Sequence, residues 1–284
     1  MTSREKPLSG KVAIVTGATR AKGMGHAAAL AMARMGASIV STGLTQRRDD
    51  LTAGSFHQVG GSASRLDERV AEIRELGVDA IGIGVDVANE EDIRRCVDVA
   101  IETFGGIDIL FNNAGVPTGA GPFLDIHASA WDIQFDLCIK GAARFCQAVI
   151  PSMRERGGGS IINNSSIWGS KPLAGAGAYV AAKAGMIGLT KAIAVEHGPD
   201  NIRCNAILPG TVVTEINDSR VAMVCEKEGI TVDEARGRMA AATSLKRLGR
   251  PEEIGALVAF LASDDAGFIT GAAIPIDGGV QNGL

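Results

Sequence analysis

The chain predicts an α/β fold: one domain built on a doubly wound parallel sheet of about seven strands flanked by helices. Three observations carry this expectation. Short β-branched apolar runs alternate with helix-period stretches from end to end. The first repeat is a strand, a glycine turn, an Ala-rich helix, a glycine and a second strand within about thirty residues, the pattern of a βαβ unit. No linker or shift of composition divides the 284 residues, so 1–284 is taken as one dinucleotide-binding unit.

The elements follow in order. Val12 to Thr16 is a strand that stops at Gly17, and a helix runs from about Gly23 to Met35, closed by Gly36. Ala37 to Thr42 is the second strand. A helix begins near Leu66, and Asp79 to Asp86 is the third strand. Asn89 caps a helix whose apolar stripe is Ile93, Val97, Ile101 and Phe104. Ile107 to Asn112 is the fourth strand, Ala128 to Met153 one long helix, and Ser160 to Asn164 the fifth strand. A helix carrying Tyr179 follows, with Met186, Leu189 and Ile193 at helical spacing. Ile202 to Leu208 is stopped by Pro209-Gly210, Pro251 opens a helix to Ala262, and Ala272 to Ile276 is the last strand. Two stretches exceed a minimal repeat. Residues 45–64 are a polar, Gly-rich inserted loop, and 211–244 are long enough for a substrate lid. Ligands of such sheets bind beyond the carboxyl ends of the strands, which singles out the loops at 17–23, 43–63, 86–89, 113–125, 165–178 and 209–243.

Composition excludes several classes. Hydrophobic residues make up 46% and the net charge is −4, with a mean hydropathy of +0.16. No run of Lys and Arg offers a footprint for nucleic acid or an anionic membrane, so neither is expected as a partner. Five widely spaced cysteines without a CxxC pair argue against a disulfide framework and against zinc, and for a cytoplasmic protein. His26, His57, His127 and His197 fall in no metal-like spacing, so no metal is expected. The opening MTSREKPLSG lacks a signal-peptide core, and no segment approaches the roughly 20 uncharged apolar residues of a membrane span.

Two stretches carry chemistry. Gly17 to Gly23 (GATRAKG) joins the first strand to the first helix, where glycines let phosphates approach free N–H groups and the positive end of the helix dipole. Tyr179, the only tyrosine, stands four residues before Lys183, one helical turn away on the same face. An ammonium beside a phenol favours the phenolate, and such a phenol can exchange a proton with an alcohol near neutral pH.

Together these stretches resemble the short-chain dehydrogenases/reductases. TGATRAKG is similar to the family's TGxxxGxG turn, with Ala21 at the middle glycine. Asn112 to Gly115 matches NNAG, Ser166 the catalytic serine, Tyr179 and Lys183 the YxxxK pair, and Pro209-Gly210 with Thr214 the PGxxxT motif. The stretch from LKRLGRPEEIG to IDGG resembles the family's C-terminal segment, and the likeness covers about residues 9 to 280.

The resemblance implies a Rossmann-type sheet and a hydride transfer between a nicotinamide cofactor and a carbonyl or secondary alcohol. Tyr179 is then the acid/base, Lys183 its partner and a binder of the nicotinamide ribose, and Ser166 a donor to the substrate oxygen. Cofactor contacts are expected from Gly17, Thr19, Arg20, Gly23, Met24, Leu44, Asp86, Val87, Asn113, Ala114, Gly115, Pro209, Gly210, Val212 and Thr214, besides Tyr179 and Lys183. Val116, Pro117, Trp168 and Leu173 would face the substrate. The second strand ends without the carboxylate that binds the ribose 2′-hydroxyl of NAD, while Arg20, Thr45, Arg47 and Arg48 offer donors, so NADP is favoured over NAD. One departure stands out: in DLCIKG (136–141) Cys138 occupies the place of the family's Asn, which ties a water chain to the lysine. Cys138 is read either as a rerouting of that relay or as inert packing, not as a nucleophile. The family also implies a homotetramer built on the long fourth helix and the Tyr-Lys helix. Two alternatives remain open: a 3-oxoacyl-thioester reductase using Lys246, Arg247 and Arg250 at the mouth, and a catalytically weak dinucleotide-binding regulatory protein.

Overall fold

Each apolar run of the sequence becomes a strand: β1 (Val12–Val15), β2 (Ser38–Gly43), β3 (Ala80–Gly84), β4 (Ile109–Asn112), β5 (Gly159–Asn164), β6 (Ile202–Pro209) and β7 (Ala273–Ile276). The computed structural model describes residues 6–46 and 62–280. Its strands form one parallel sheet in the order β3-β2-β1-β4-β5-β6-β7. This is the doubly wound Rossmann arrangement expected from the sequence. The winding reverses between β1 and β4, whose register pairs Ala13 with Ile109 and Val15 with Phe111. A crevice opens at the carboxyl ends of the strands at such a reversal.

The helices are α1 (Met24–Arg34), α2 (Ala63–Arg74), α3 (Glu90–Phe104), α4 (Ala128–Gln134), α5 (Gly141–Glu155), α6 (Gly177–His197), α7 (Glu215–Glu228), α8 (Val232–Ala241) and α9 (Pro251–Ala262). They cover the two faces of the sheet with separate apolar layers. One holds Ile14, Val97, Leu110, Phe145 and Ile161. The other holds Ala13, Met32, Phe111, Ile162 and Val258. Parallel strands buried on both faces explain why these runs are continuously apolar instead of alternating. On the second face α1 and α9 touch backbone to backbone: a Cβ on Gly255 would lie 2.5 Å from the Ala27 carbonyl oxygen.

Two boundaries differ from expectation. The stretch read as one long helix from Ala128 is helical throughout, but a π-helical turn at Phe135–Lys140 separates α4 from α5. Such a turn widens the helix and re-aims the side chains that follow it. Helix α2 starts at Ala63, before Leu66, because Ser62 caps it by accepting from the Arg65 N–H at 3.4 Å. Most of the 45–64 insertion, with Arg47 and Arg48, lies outside the described residues. Gly177–Asp200 is long and apolar enough, by length and composition alone, to cross a membrane, although Lys183, Lys191 and Glu196 interrupt it. It lies instead along the sheet, with Ala178, Ala182, Lys183, Met186 and Ile193 buried.

Candidate active site

The Gly17–Gly23 turn leaves β1 at the winding reversal and is held there by a side chain from the neighbouring strand. Asn113, just past β4, donates from Nδ2 to the carbonyls of Thr16 (2.8 Å) and Gly17 (3.1 Å). Its Oδ1 accepts from Asn164 Nδ2 at 2.9 Å. The buried Thr16 hydroxyl accepts from the N–H groups of Asn113 and Ala114, at 2.8 and 2.9 Å. Gly17 has φ of +67°, and a Cβ there would lie 2.9 Å from Ala114 Cα. A Cβ on Gly25 would meet Asn113 Nδ2 at 2.6 Å. Both glycines are therefore required by close approach. Helix α1 begins with Gly23 as an N-cap that has no side-chain bond, and with no acid in its first turn. Its first N–H groups face the cleft with positive partial charge, which fits the phosphates of a dinucleotide.

A groove runs from this turn over the ends of β2 and β3. It is lined by Gly17, Thr19, Arg20, Gly23, Met24, Leu44, Asp86, Val87, Asn113, Ala114, Gly115 and Thr214, all expected cofactor contacts. At the end of β2 a Cβ on Gly43 would lie 2.5 Å from Thr19 Cγ2, so a side chain there would require Thr19 to move. Arg20 lies 3.6 Å from Glu215 at the start of α7, and Glu215 also accepts from the Lys22 N–H. Burial pushes the Arg20 guanidinium below its ordinary value, with Glu215 opposing. Asp86 accepts from the Ala88 N–H at 2.9 Å through Oδ1.

Met24, Asn113, Gly115, Thr214 and Ile216 border both this groove and a second cavity of about 330 Å³. The second cavity brings Ser166, Tyr179 and Lys183 together from two different elements. Ser166 caps the short 3-10 turn Ile167–Gly169 after β5, and its Oγ accepts from the Trp168 N–H at 3.2 Å. Tyr179 and Lys183 come from the first turns of α6. The Ser166 loop is pinned to that helix: Ser165 Oγ donates to the Lys183 carbonyl at 2.7 Å, and a Cβ on Gly169 would meet the same carbonyl at 2.8 Å. Lys183 is buried, and its ammonium donates to the Asn164 carbonyl at 2.7 Å, 5.7 Å from the centre of the Tyr179 ring. Lys183 has no carboxylate partner among the described residues, so no ion pair holds it away from groups that enter the cavity.

The other expected residues divide. Trp168, Leu173, Pro117, Pro209, Gly210 and Val212 line the second cavity, whereas Val116 lines the first. Cys138 is 1% exposed on the π-helical turn, and its thiol faces Gln134 Oε1 at 3.7 Å. A Cβ on Gly115 would lie 3.2 Å from the Cys138 sulfur and 3.9 Å from the Lys183 nitrogen, so thiol and ammonium flank the same glycine. All five thiols are free. Burial pushes those of Cys96 and Cys146 up to about 12. Lys246, Arg247 and Arg250 line neither cavity: Arg247 grips Glu253 at 2.7 and 2.9 Å, and Lys246 donates to the Ala241 carbonyl.

The sequence reading missed several contributors. Asn164 and Thr16 brace the turn, and a doubled Asn at the end of β5 was a visible signal for the first. Gln134 fixes the NNAG loop through Val116 O and Thr118 Oγ1. Arg220 of α7 enters the second cavity and lies over Trp168, 5.1 Å from the ring centre. No local pattern announced it.

Comparison with known proteins bears on this geometry. Residues 17–281 match the family model described as Enoyl-(Acyl carrier protein) reductase. Over 282 residues the chain is 34% identical to human "Dehydrogenase/reductase SDR family member 4", covering 99% of this chain and 91% of that protein. It is 37% identical to the L-rhamnose 1-dehydrogenase (NAD(P)(+)) of Azotobacter vinelandii over 271 residues, 95% of this chain and 96% of that one. Among solved structures, L-sorbose reductase from Gluconobacter frateurii, complexed with NADPH and L-sorbose, superposes with a TM-score of 0.87 at 31% identity, covering 99% and 100% of the two chains. Carveol dehydrogenase from Mycobacterium avium, in complex with NAD, superposes with a TM-score of 0.89 at 30% identity, covering 97% and 99%.

Proposed function

The chain belongs to the short-chain dehydrogenase/reductase family and is an NAD(P)-dependent oxidoreductase of alcohols and carbonyls, and from that premise we propose that Tyr179 is its acid/base and NADP(H) its favoured cofactor. The observation that carries the assignment is the convergence of Ser166, Tyr179 and Lys183 on one cavity that shares five lining residues with the groove above α1. The cofactor, when bound, supplies the hydride chemistry. The chain supplies position and a proton. In reduction, Tyr179 donates its hydroxyl proton to the carbonyl oxygen. Ser166 already accepts from Trp168, so its own O–H is free to donate to the same oxygen. Lys183, oriented by the Asn164 carbonyl, stabilises the phenolate that remains. Cys138, bonded to Gln134, takes no part in returning the proton.

The NADP preference is supported by the crowded, acid-free end of β2 and by Arg20 at the edge of the groove. We read 211–244 as the lid: Val221 and Ala235 are the only buried residues of α7 and α8, and Glu215 ties the first turn of α7 to the glycine turn. Exposed Gly185, Gly188 and Val195 on α6 support a homotetramer through that helix, which light scattering would test. The expected compartment is the cytoplasm. A thioester-reductase reading is favoured by the description of the matching family model. It is disfavoured by the engagement of Arg247 with Glu253.

The test is NADPH oxidation with a small diketone, followed in the nicotinamide absorbance band, beside Tyr179→Phe and Arg20→Gln. The wild type is expected to turn over, Tyr179→Phe to lose activity, and Arg20→Gln to weaken NADPH more than NADH. Wild-type turnover no faster than Tyr179→Phe would leave a dinucleotide-binding protein without catalysis. Activity confined to acyl thioesters would establish the second reading.

A further inference from the structure

Among the described residues the second cavity carries two cations, Lys183 and Arg220, and no Asp or Glu lines it. Lys183 is accounted for at the reacting end. Arg220 is not. It projects from α7, half-buried, with its guanidinium stacked over the Trp168 indole, and that indole meets the Tyr179 ring edge-to-face at 5.9 Å. The two acids of its own helix nearest in sequence are engaged elsewhere: Glu215 with Arg20, and Asp218 with Arg236 of α8 at 2.8 Å. Among the described residues Arg220 has neither an ion pair nor a hydrogen bond. Burial pushes its guanidinium below the ordinary value, partly offset by Tyr179. Stacking on the indole offsets part of the cost of holding a cation there, but five N–H donors still lack an acceptor. The cavity is lined by apolar Pro117, Leu173, Ala174, Ala176 and Ile216 beside polar Thr118, Thr211 and Asn217, and none of these side chains is hydrogen-bonded to Arg220 among the described residues.

We propose that Arg220 is the specificity-determining residue of this cavity and that the substrates are oxo acids or the corresponding hydroxy acids. The assignment rests on the catalytic reading given above. The carbonyl lies at Ser166 and Tyr179, and a carboxylate at the other end of the molecule is gripped by the guanidinium fork. The guanidinium and the Tyr179 ring both pack on the Trp168 indole, 5.1 and 5.9 Å from its centre, so a short carbon chain joins the carboxylate to the reacting carbon. The chain between them is apolar, to match Pro117, Leu173, Ala174 and Ile216 of the lining. Because Arg220 belongs to α7, an anionic substrate also draws this helix onto the cavity, so the same contact supplies both recognition and closure.

The experiment compares levulinate and its longer straight-chain homologues with their methyl esters, as substrates of the wild type, Arg220→Gln and Arg220→Lys with NADPH. The wild type is expected to favour at least one acid over its ester by about tenfold or more in kcat/KM, through KM. Arg220→Gln brings that ratio close to one, and Arg220→Lys recovers part of it. A wild-type ratio near one, or an Arg220→Gln variant that loses acid and ester alike, would overturn the assignment. Cofactor affinity of the variants guards against misfolding. A binding arm separates this idea from its premise. In a Trp131→Phe background, Trp168 is the only indole, and quenching by a hydroxy acid or its ester is read with NADP⁺ bound. Arg220-dependent quenching by the acid without turnover sinks the catalytic reading and leaves Arg220 as the anion site. Turnover of uncharged ketones, with acids no better bound than esters, does the reverse.

Discussion

The two halves of the cleft are made of different material. The cofactor groove is built from backbone: glycines at 17, 23, 25 and 43, the free N-terminus of α1, and side chains such as Asn113 and Thr16 whose work is to hold that backbone. The substrate cavity is built from long side chains, Trp168, Tyr179, Lys183 and Arg220, delivered by the loop after β5, by α6 and by α7. A phosphate-bearing cofactor is common to many enzymes, so a fixed backbone cradle suits it. A substrate is particular, and side chains on a lightly packed helix can change without disturbing the sheet.

If that contrast is right, damage to the two halves should separate. The largest effect is expected from Tyr179→Phe, which lowers kcat by about 10²–10⁴-fold while leaving the Kd for NADPH close to wild type; single-turnover kinetics with a fluorescence titration would show both. Gly17→Val should do the opposite. It forces a branched side chain into positive φ against Ala114, costs roughly 2–3 kcal/mol in denaturant melts and weakens NADPH more than about tenfold. Similar losses in kcat and in cofactor affinity for both variants would erase the distinction. Asn113→Ala removes the brace and is expected to cost about 1–3 kcal/mol, with the loss appearing in cofactor affinity before kcat. Cys138→Asn probes the seam between the halves. Because the thiol faces Gln134, kcat should change by less than about tenfold, and a larger gain would show that the relay through this position matters.

The smallest effect concerns His26 on α1. Its Nε2 lies 2.7 Å from Glu72, its Nδ1 is buried without a partner among the described residues, and the side chain is 2% exposed. Burial holds the imidazole below its ordinary value, with Glu72 opposing. The unfolded chain therefore takes up the proton first as pH falls. Stability contributed by neutral His26 is present above the unfolded value of about 6.5 and is lost as the pH drops below it. Midpoints of urea unfolding across that range should fall less steeply in His26→Gln than in the wild type, while midpoints at higher pH shift little with pH in either.

How much of this was legible depended on what each residue does with its neighbours in the chain. Gly17 to Gly23 and the Tyr179–Lys183 pair are local: a turn type or one helical turn fixes their geometry, and the resemblance to a known family then singled out NNAG and gave the pair its role. Val116 was assigned to the substrate because it follows NNAG, yet the loop turns it toward the groove while Pro117 faces the cavity. The helix from Ala128 was read as regular, since nothing in its composition announces a π-helical turn at Phe135–Lys140. Arg220 was invisible because a polar surface helix gives no sign of which of its charges turns inward.

The order of elements, the parallel sheet and the pairing of Tyr179 with Lys183 on one helix face followed from the sequence itself, because hydrophobic period, glycine placement and the separation of one helical turn are all short-range properties. The tertiary structure alone decided which charges are paired and which face the cavity. Glu215 and Asp218 find arginines on other segments, whereas Arg220 is left over the indole of Trp168. Electrostatic pairing acts across space between residues far apart in the chain, so it has no signature until the fold has chosen the neighbours.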